Sequence, residues 1–244
     1  AYADEWQQST GRDSHLISDE GTMRIDVQTD SVIFAAAQPH FADFDASLTT
    51  QALAGSENNA FGLIFRLQQT PEECSMAAAL LCGLSSVRFL GIGNWVRVAF
   101  EQDQPTRYYM FLISSDGYYS VWRDDGTGPS EISTWISSEA INLGLNAENR
   151  IRVVGQGATF QFFINEIALE LCIPDDPDAQ SLYYLGQCVE GTMQRTLQED
   201  TIATGQLAPV VVTGNALNLP TGVTVDFDNL VVLSPSNEVE GDPT

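Results

Sequence analysis

Apolar and polar residues alternate in short runs along most of this chain. Phe61, Leu63, Phe65 and Leu67 alternate in FGLIFRLQ, Val96, Val98 and Phe100 in the next such run, and Tyr109, Phe111 and Ile113 ahead of the Asp116-Gly117 pair. A period of two sends successive side chains to opposite faces of a strand, so each run predicts a strand with one face packed. Tyr119 and Val121 resume the pattern beyond Asp116-Gly117, which predicts a β-hairpin closed by a tight turn. A second hairpin is predicted between residues 151–154 and 160–164, across the turn at 155–157. Asn165-Glu166 then turns the chain again. Glutamate is poorly suited to the positive φ that a primed turn demands, so this turn is expected to be of another type. In the last strand Val223, Val225, Phe227 and Asn229 lie against Thr224, Asp226, Asp228 and Leu230.

One segment breaks the pattern. Thr70-Pro71-Glu72-Glu73 combines an N-cap hydroxyl, a proline at the first helical position and a capping-box glutamate, and the strong helix formers of 76–81 then run to Gly83. This predicts a short helix. Unbroken from Pro71 to Cys82, it would hold Cys74 and Cys82 about 12 Å apart along its axis, beyond disulfide reach. They could pair only if the helix ends early.

The four cysteines, Cys74, Cys82, Cys172 and Cys188, include no CxxC and no Cys/His cluster, so they read as disulfides rather than a zinc site. Buried free thiols in a cytosolic protein are the alternative. Cys172 and Cys188 bracket the loop IPDDPDAQSLYYLGQ and are expected to close it, which leaves Cys74 with Cys82; all three connectivities stay open at this point. Disulfides imply an oxidising compartment, and a start at Ala1 without Met or apolar leader fits a mature exported chain. A secreted or cell-surface location is therefore expected.

Composition removes two classes of function. Ten Lys plus Arg stand against 33 Asp plus Glu in 244 residues, a net charge of −23, so nucleic acid would be repelled. The most apolar stretch, residues 76–100, is interrupted by Arg88, Asn94 and Arg97, so no membrane span is expected.

The strings FADFDASLTTQAL, NNAFGLIFRLQ, RYYMFLISSDGYYSVWRDDG, NRIRVVGQGATFQFFINEIALEL and GVTVDFDNLVVL together resemble a known family. It is the concanavalin-like, laminin-G-like jelly-roll family of the 3-keto-disaccharide hydrolase type (DUF1080-like), of the bacterial exported kind. The resemblance covers most of residues 4–234, and SSDGYY and VDFDNLVV are its best markers. It implies an all-β sandwich of two antiparallel sheets. The chain is accordingly read as one domain over 1–234 with a polar tail at 235–244. Two insertions depart from the family, at about 68–107, with the short helix, and at about 172–205. Such sandwiches carry no single activity, so function has to be sought in sites.

A glycosidase needs two carboxylates about 5 to 9 Å apart across a cleft. Asp226 and Asp228 share one face of a strand, but their role in the family is structural and the third acidic residue of the usual signature is missing. His15 and His40 are the only histidines, and neither stands in a metal-hydrolase or nucleophile context. A non-catalytic protein is expected. Calcium is the one ion the sequence suggests, with Asp226, Asp228, Asp4 and Glu5 as first candidates and Asp124, Asp125, Asp175, Asp176 and Asp178 in acidic loops; ordinary solvated loops are the alternative. Trp122, Tyr108, Tyr118, Trp95 and Trp135 offer ring faces for stacking sugars, with core packing as the alternative. AAALL and FLGIG in the first insertion would form an exposed apolar patch unless something covers it. The leading expectation is therefore a structural or adhesive cell-surface protein whose partners are its own copies or other surface proteins, meeting through that insertion, edge strands and termini. A glycan-binding module is the alternative, and a secreted glycoside-processing enzyme comes third.

Overall fold

The computed structural model describes residues 9–10, 14–19, 22–37, 39–69, 106–176, 179–214, 217 and 219–235, with side chains from Thr22 onward. The expected helix, Cys74, Cys82, Trp95, Asp4, Glu5 and Asp178 lie outside the described residues, as does most of the first insertion.

The strands run β1 Ser9–Thr10, β2 Ser14–Asp19, β3 Thr22–Val27, β4 Ser31–Phe34, β5 Phe44–Ala54 and β6 Ala60–Gln69. They continue as β7 Thr106–Ile113, β8 Tyr118–Asp124, β9 Pro129–Ser137, β10 Glu148–Gln156, β11 Thr159–Ile164 and β12 Ile167–Ala168. The last are β13 Leu171–Pro174, β14 Leu182–Tyr184, β15 Gln187–Val189, β16 Gly191–Gln194, β17 Leu197–Gln198, β18 Gln206–Thr213 and β19 Val223–Leu233. A nine-stranded sheet has the order β1-β2-β3-β19-β5-β10-β11-β12, with β17 also pairing β11. A six-stranded sheet has the order β4-β18-β6-β7-β8-β9, and two ribbons, β13-β16 and β14-β15, stand apart. The ladders are antiparallel, and the chain is an all-β jelly-roll sandwich as expected.

In β3, β10 and β11 the alternation of the sequence is the alternation of burial. In β3, Met23, Ile25 and Val27 point inward and Thr22, Arg24 and Asp26 outward. Ile151 and Val153 of β10 and Phe160, Phe162 and Ile164 of β11 meet Phe61, Leu63, Phe65, Tyr109 and Phe111 of the smaller sheet in the main core. Phe65 stacks on Tyr109 at 5.3 Å and tilts against Phe160 at 5.1 Å. Gly155 faces this cluster, and a Cβ there would come within 2.9 Å of the Phe44 ring, so the rings themselves require glycine. The smaller sheet is buried on its outer face too, where Phe34, Ile64, Tyr108, Met110 and Val210 form a second apolar cluster.

Both predicted hairpins are present. Strands β7 and β8 pair across Asp116-Gly117, with Gly117 at φ 96°, and β10 and β11 pair across Gly157, at φ 55°. The Asn165-Glu166 turn departs from expectation: φ is 49° and 66°, the positive pair of a primed turn. Side chains hold it there. Asn165 Oδ1 accepts from the Arg150 N–H at 2.8 Å, its amide donates to the Ala140 carbonyl at 2.8 Å, and Glu166 meets Arg150 at 3.0 Å. The last strand also departs. A bulge at Asn229, φ 52°, shifts the register between Asp228 and Val231, so Leu230 and Val232 pack on the core while Val231 and Leu233 face outward.

Cys172 and Cys188 form a disulfide with Cα atoms 5.4 Å apart, tying β15 to the buried end of β13. Arg66, 2% exposed, sits in a bulge between β6 and β7. It donates to the Ile202 carbonyl at 2.7 Å, to that of Ala42 at 2.9 Å and to that of Gly157, and its guanidinium lies 4.5 Å over the Phe160 ring. One cation thereby ties together three loops at one end of the sandwich.

Candidate functional site

Among the described residues, Tyr108, Tyr118, Trp122 and Trp135 do not share one open ring surface. Tyr108 is 3% exposed and its hydroxyl faces Asp124; burial, with Asp124 beside it, pushes its pKa well above the usual range. Trp122 and Trp135 are half-buried against the same outer cluster, and the Trp122 indole N–H is buried without a partner among the described residues. Tyr118 is 41% exposed but lies four residues from Trp122 along β8, about 13 Å at strand rise. Strand alternation places Tyr108, Tyr118 and Trp122 on one face, and at Tyr108 and Trp122 that face serves packing.

The calcium candidates Asp226, Asp228, Asp124, Asp125 and Asp175 hold other partners. Asp226 accepts from Arg24 Nε at 2.6 Å and from its terminal nitrogen at 2.7 Å, so a guanidinium already neutralises the carboxylate. Asp228 accepts the Asn229 N–H at 2.6 Å. Asp124 holds the N–H groups of Gly126 and Gly128 at 2.8 and 3.1 Å, Asp125 caps Thr127, and Asp175 accepts from Thr192. These carboxylates shape turns and pair with arginine. Among the described residues no group of three His, Cys, Asp or Glu side chains gathers as metal ligands.

A different surface concentrates polar chemistry: the outer face of the nine-stranded sheet. Strand geometry turns Asp45, Ser47 and Thr49 of β5 to the outer face beside Arg150, Arg152 and Val154 of β10, with Ser47 itself covered. Arg152 donates to both oxygens of Asp45, at 2.7 and 2.6 Å, and its guanidinium lies 4.8 Å from the Phe163 ring centre, on the neighbouring strand. The pairing holds Asp45 below the ordinary carboxylate range and raises Arg152, each through the hydrogen bond to the other. Arg150 donates to Ser47 Oγ at 3.0 Å. A groove of about 660 Å³ opens beside this row, lined among others by Asp43, Asp45, Val154, Gln156, Leu233 and Ser234. Leu233 is 63% exposed there, and Val154, Val232 and Pro235 add further apolar lining beside the polar side chains.

This face offers flat and aliphatic apolar surface next to donors and acceptors held at fixed orientation. Asp45 keeps both oxygens on a guanidinium and its proton affinity low, so it can accept hydrogen bonds but is poorly placed to donate a proton. Sequence reasoning passed over Arg152, Asp45, Phe163 and Arg150. A signal was present: NRIRVVG places two of the chain's ten basic residues at i and i+2, hence on one strand face.

Fold and face together make a jelly-roll β-sandwich with a polar, groove-bearing outer sheet. A Bacillus subtilis protein of unknown function described as having a galectin-like fold superposes with a TM-score of 0.53 at 9% identity, over 95% of this chain and 90% of its own. The carbohydrate-binding module CBM66 from Bacillus subtilis aligns at 0.48 and 10% identity, over 86% of each chain. The family 7 alginate lyase A1-II′ aligns at 0.48 and 8% identity, over 93% of this chain and 85% of its own. At such identities the likeness is one of fold. No family model matches the chain, and no curated protein matches it.

Proposed function

We propose that this protein is a non-catalytic glycan-binding module, akin to the exported bacterial jelly rolls of the 3-keto-disaccharide hydrolase type, that holds a neutral saccharide on the outer face of its nine-stranded sheet. The observation that carries the reading is the Asp45–Arg152–Phe163 row beside the groove. Sugars present hydroxyls in fixed directions around an apolar ring face, and a guanidinium locked by its own carboxylate meets the hydroxyls without a further loss of side-chain freedom. The same ion pair supports a binding role over bond cleavage, since Asp45 and Asp226 are both neutralised by arginine. A neutral ligand suits a face where each guanidinium already has a carboxylate and the chain is strongly acidic. The disulfide supports an extracellular setting.

A glycan array followed by titration calorimetry of the best ligand tests the reading. Arg152→Ala and Phe163→Ala are expected each to weaken binding about tenfold or more, a loss of about 1.4 kcal/mol, while Trp122→Ala leaves it unchanged. Binding indifferent to both substitutions, or lost only on Trp122→Ala, would move the site to the other sheet.

A further inference from the structure

Four of the large apolar side chains that the described residues leave exposed belong to one hairpin. Leu182 is 50% exposed, Tyr184 62%, Leu185 84% and Val189 39%. In the β14-β15 register Leu182 stands opposite Val189 and Tyr183 opposite Cys188. Tyr183 and Cys188 turn toward the core. Leu182, Val189 and Tyr184 therefore share the opposite, solvent side, and Leu185 forms the tip, where it and Gly186 take φ of 50° and 79°. The disulfide through Cys188 fastens the hairpin to buried β13. A hairpin normally turns its apolar side to the core and its polar side to water; this one carries apolar side chains on both.

Charge identifies what could cover that side. Residues 181–189, SLYYLGQCV, contain no Asp, Glu, Lys or Arg. On either side of them along the chain stand Asp175, Asp176 and Glu190, all exposed. Arg195 is the only Lys or Arg after Arg152, and it is paired with Glu170 at 2.9 Å. An apolar hairpin flanked by carboxylates on a chain of net charge −23 disfavours a second copy, which would bring like charge, and favours the opposite pattern. We propose that the solvent side of the β14-β15 hairpin is a docking surface for a polypeptide partner that presents apolar side chains ringed by lysine or arginine. The hairpin belongs to the second insertion, and its use does not depend on the saccharide site.

The test uses the full oxidised chain and two labelled synthetic peptides of equal positive charge, an amphipathic leucine/lysine helix and an oligolysine, followed by fluorescence anisotropy at low and moderate salt. The leucine/lysine peptide is expected to bind about tenfold tighter than oligolysine. Tyr184→Ser with Leu185→Ser removes that preference, Arg152→Ala leaves it unchanged, and salt weakens both peptides. Both serine substitutions fall on exposed side chains, and an intact disulfide by mass spectrometry confirms the hairpin is still closed. Equal binding of the two peptides overturns the proposal, as does a preference that survives the double substitution. A concentration-dependent dimer in sedimentation, abolished by the same substitutions, also overturns it and names a second copy as the occupant.

Discussion

Arg66 carries its positive charge in the core without a carboxylate among its hydrogen-bond partners, and burial lowers its pKa. Replacing it removes donors from the Ala42, Gly157 and Ile202 carbonyls together, and buried acceptors left unpaired are costly. Arg66→Met is expected to lose about 3 kcal/mol in urea unfolding despite its similar apolar volume. Glu131 behaves in the opposite sense. Burial raises its pKa against the smaller effect of the Thr134 hydrogen bond, and it faces Trp122 across the β8-β9 ladder. Below the unfolded value near 4.5 both states hold the proton and nothing is lost. As pH rises, the unfolded chain releases it first, so stability falls until the folded carboxyl has also ionised. Glu131→Gln should therefore raise the melting temperature at neutral pH and leave it unchanged under acid conditions where both states are protonated, as read by calorimetry across pH.

Elements were legible where one face of a strand is wet. Strands β3, β10 and β11 alternate cleanly, and both hairpin turns were marked by glycine. Legibility failed where a side chain overrode a local preference. Glu166 takes positive φ because Asn165 and Arg150 fix the turn around it, and Asn229 opens a bulge that exchanges the two faces of β19. Strands β6, β7 and β18 are buried on both sides, so the alternation read in β6 and β7 marked the face toward the main core rather than a wet face, and past the bulge at Arg66 Leu67 packs with Ile64 in the outer cluster. The second insertion is held at its base by Cys172–Cys188, 16 residues apart. Closing a loop of that length restricts the unfolded chain by about 3 kcal/mol. The double substitution Cys172→Ala/Cys188→Ala should lower the urea midpoint accordingly while the far-ultraviolet circular dichroism stays that of a β sandwich.

Across the whole molecule the charge of −23 acts as self-repulsion, relieved locally where arginine pairs carboxylates on the outer sheet. Raising salt from about 20 mM to about 500 mM should therefore increase the melting temperature, because screening of the long-range repulsion outweighs the weakening of the partly exposed ion pairs. The sequence by itself determined the class of fold and the two hairpins, because strand periodicity and turn chemistry are local properties of the chain; it favoured Cys172 with Cys188 but left three connectivities open, and the structure decided among them for that pair. It also determined that Tyr108 and Trp122 share a face, but not whether water reaches that face. Only the tertiary structure decided that the aromatics pack, that Asp226 belongs to Arg24, that Asp45, Arg152 and Phe163 form one row, and that the β14-β15 hairpin turns leucine and tyrosine outward. Each of these depends on which strands become neighbours, and residues such as Arg24 and Asp226, 202 positions apart, meet only once the sheet order is set.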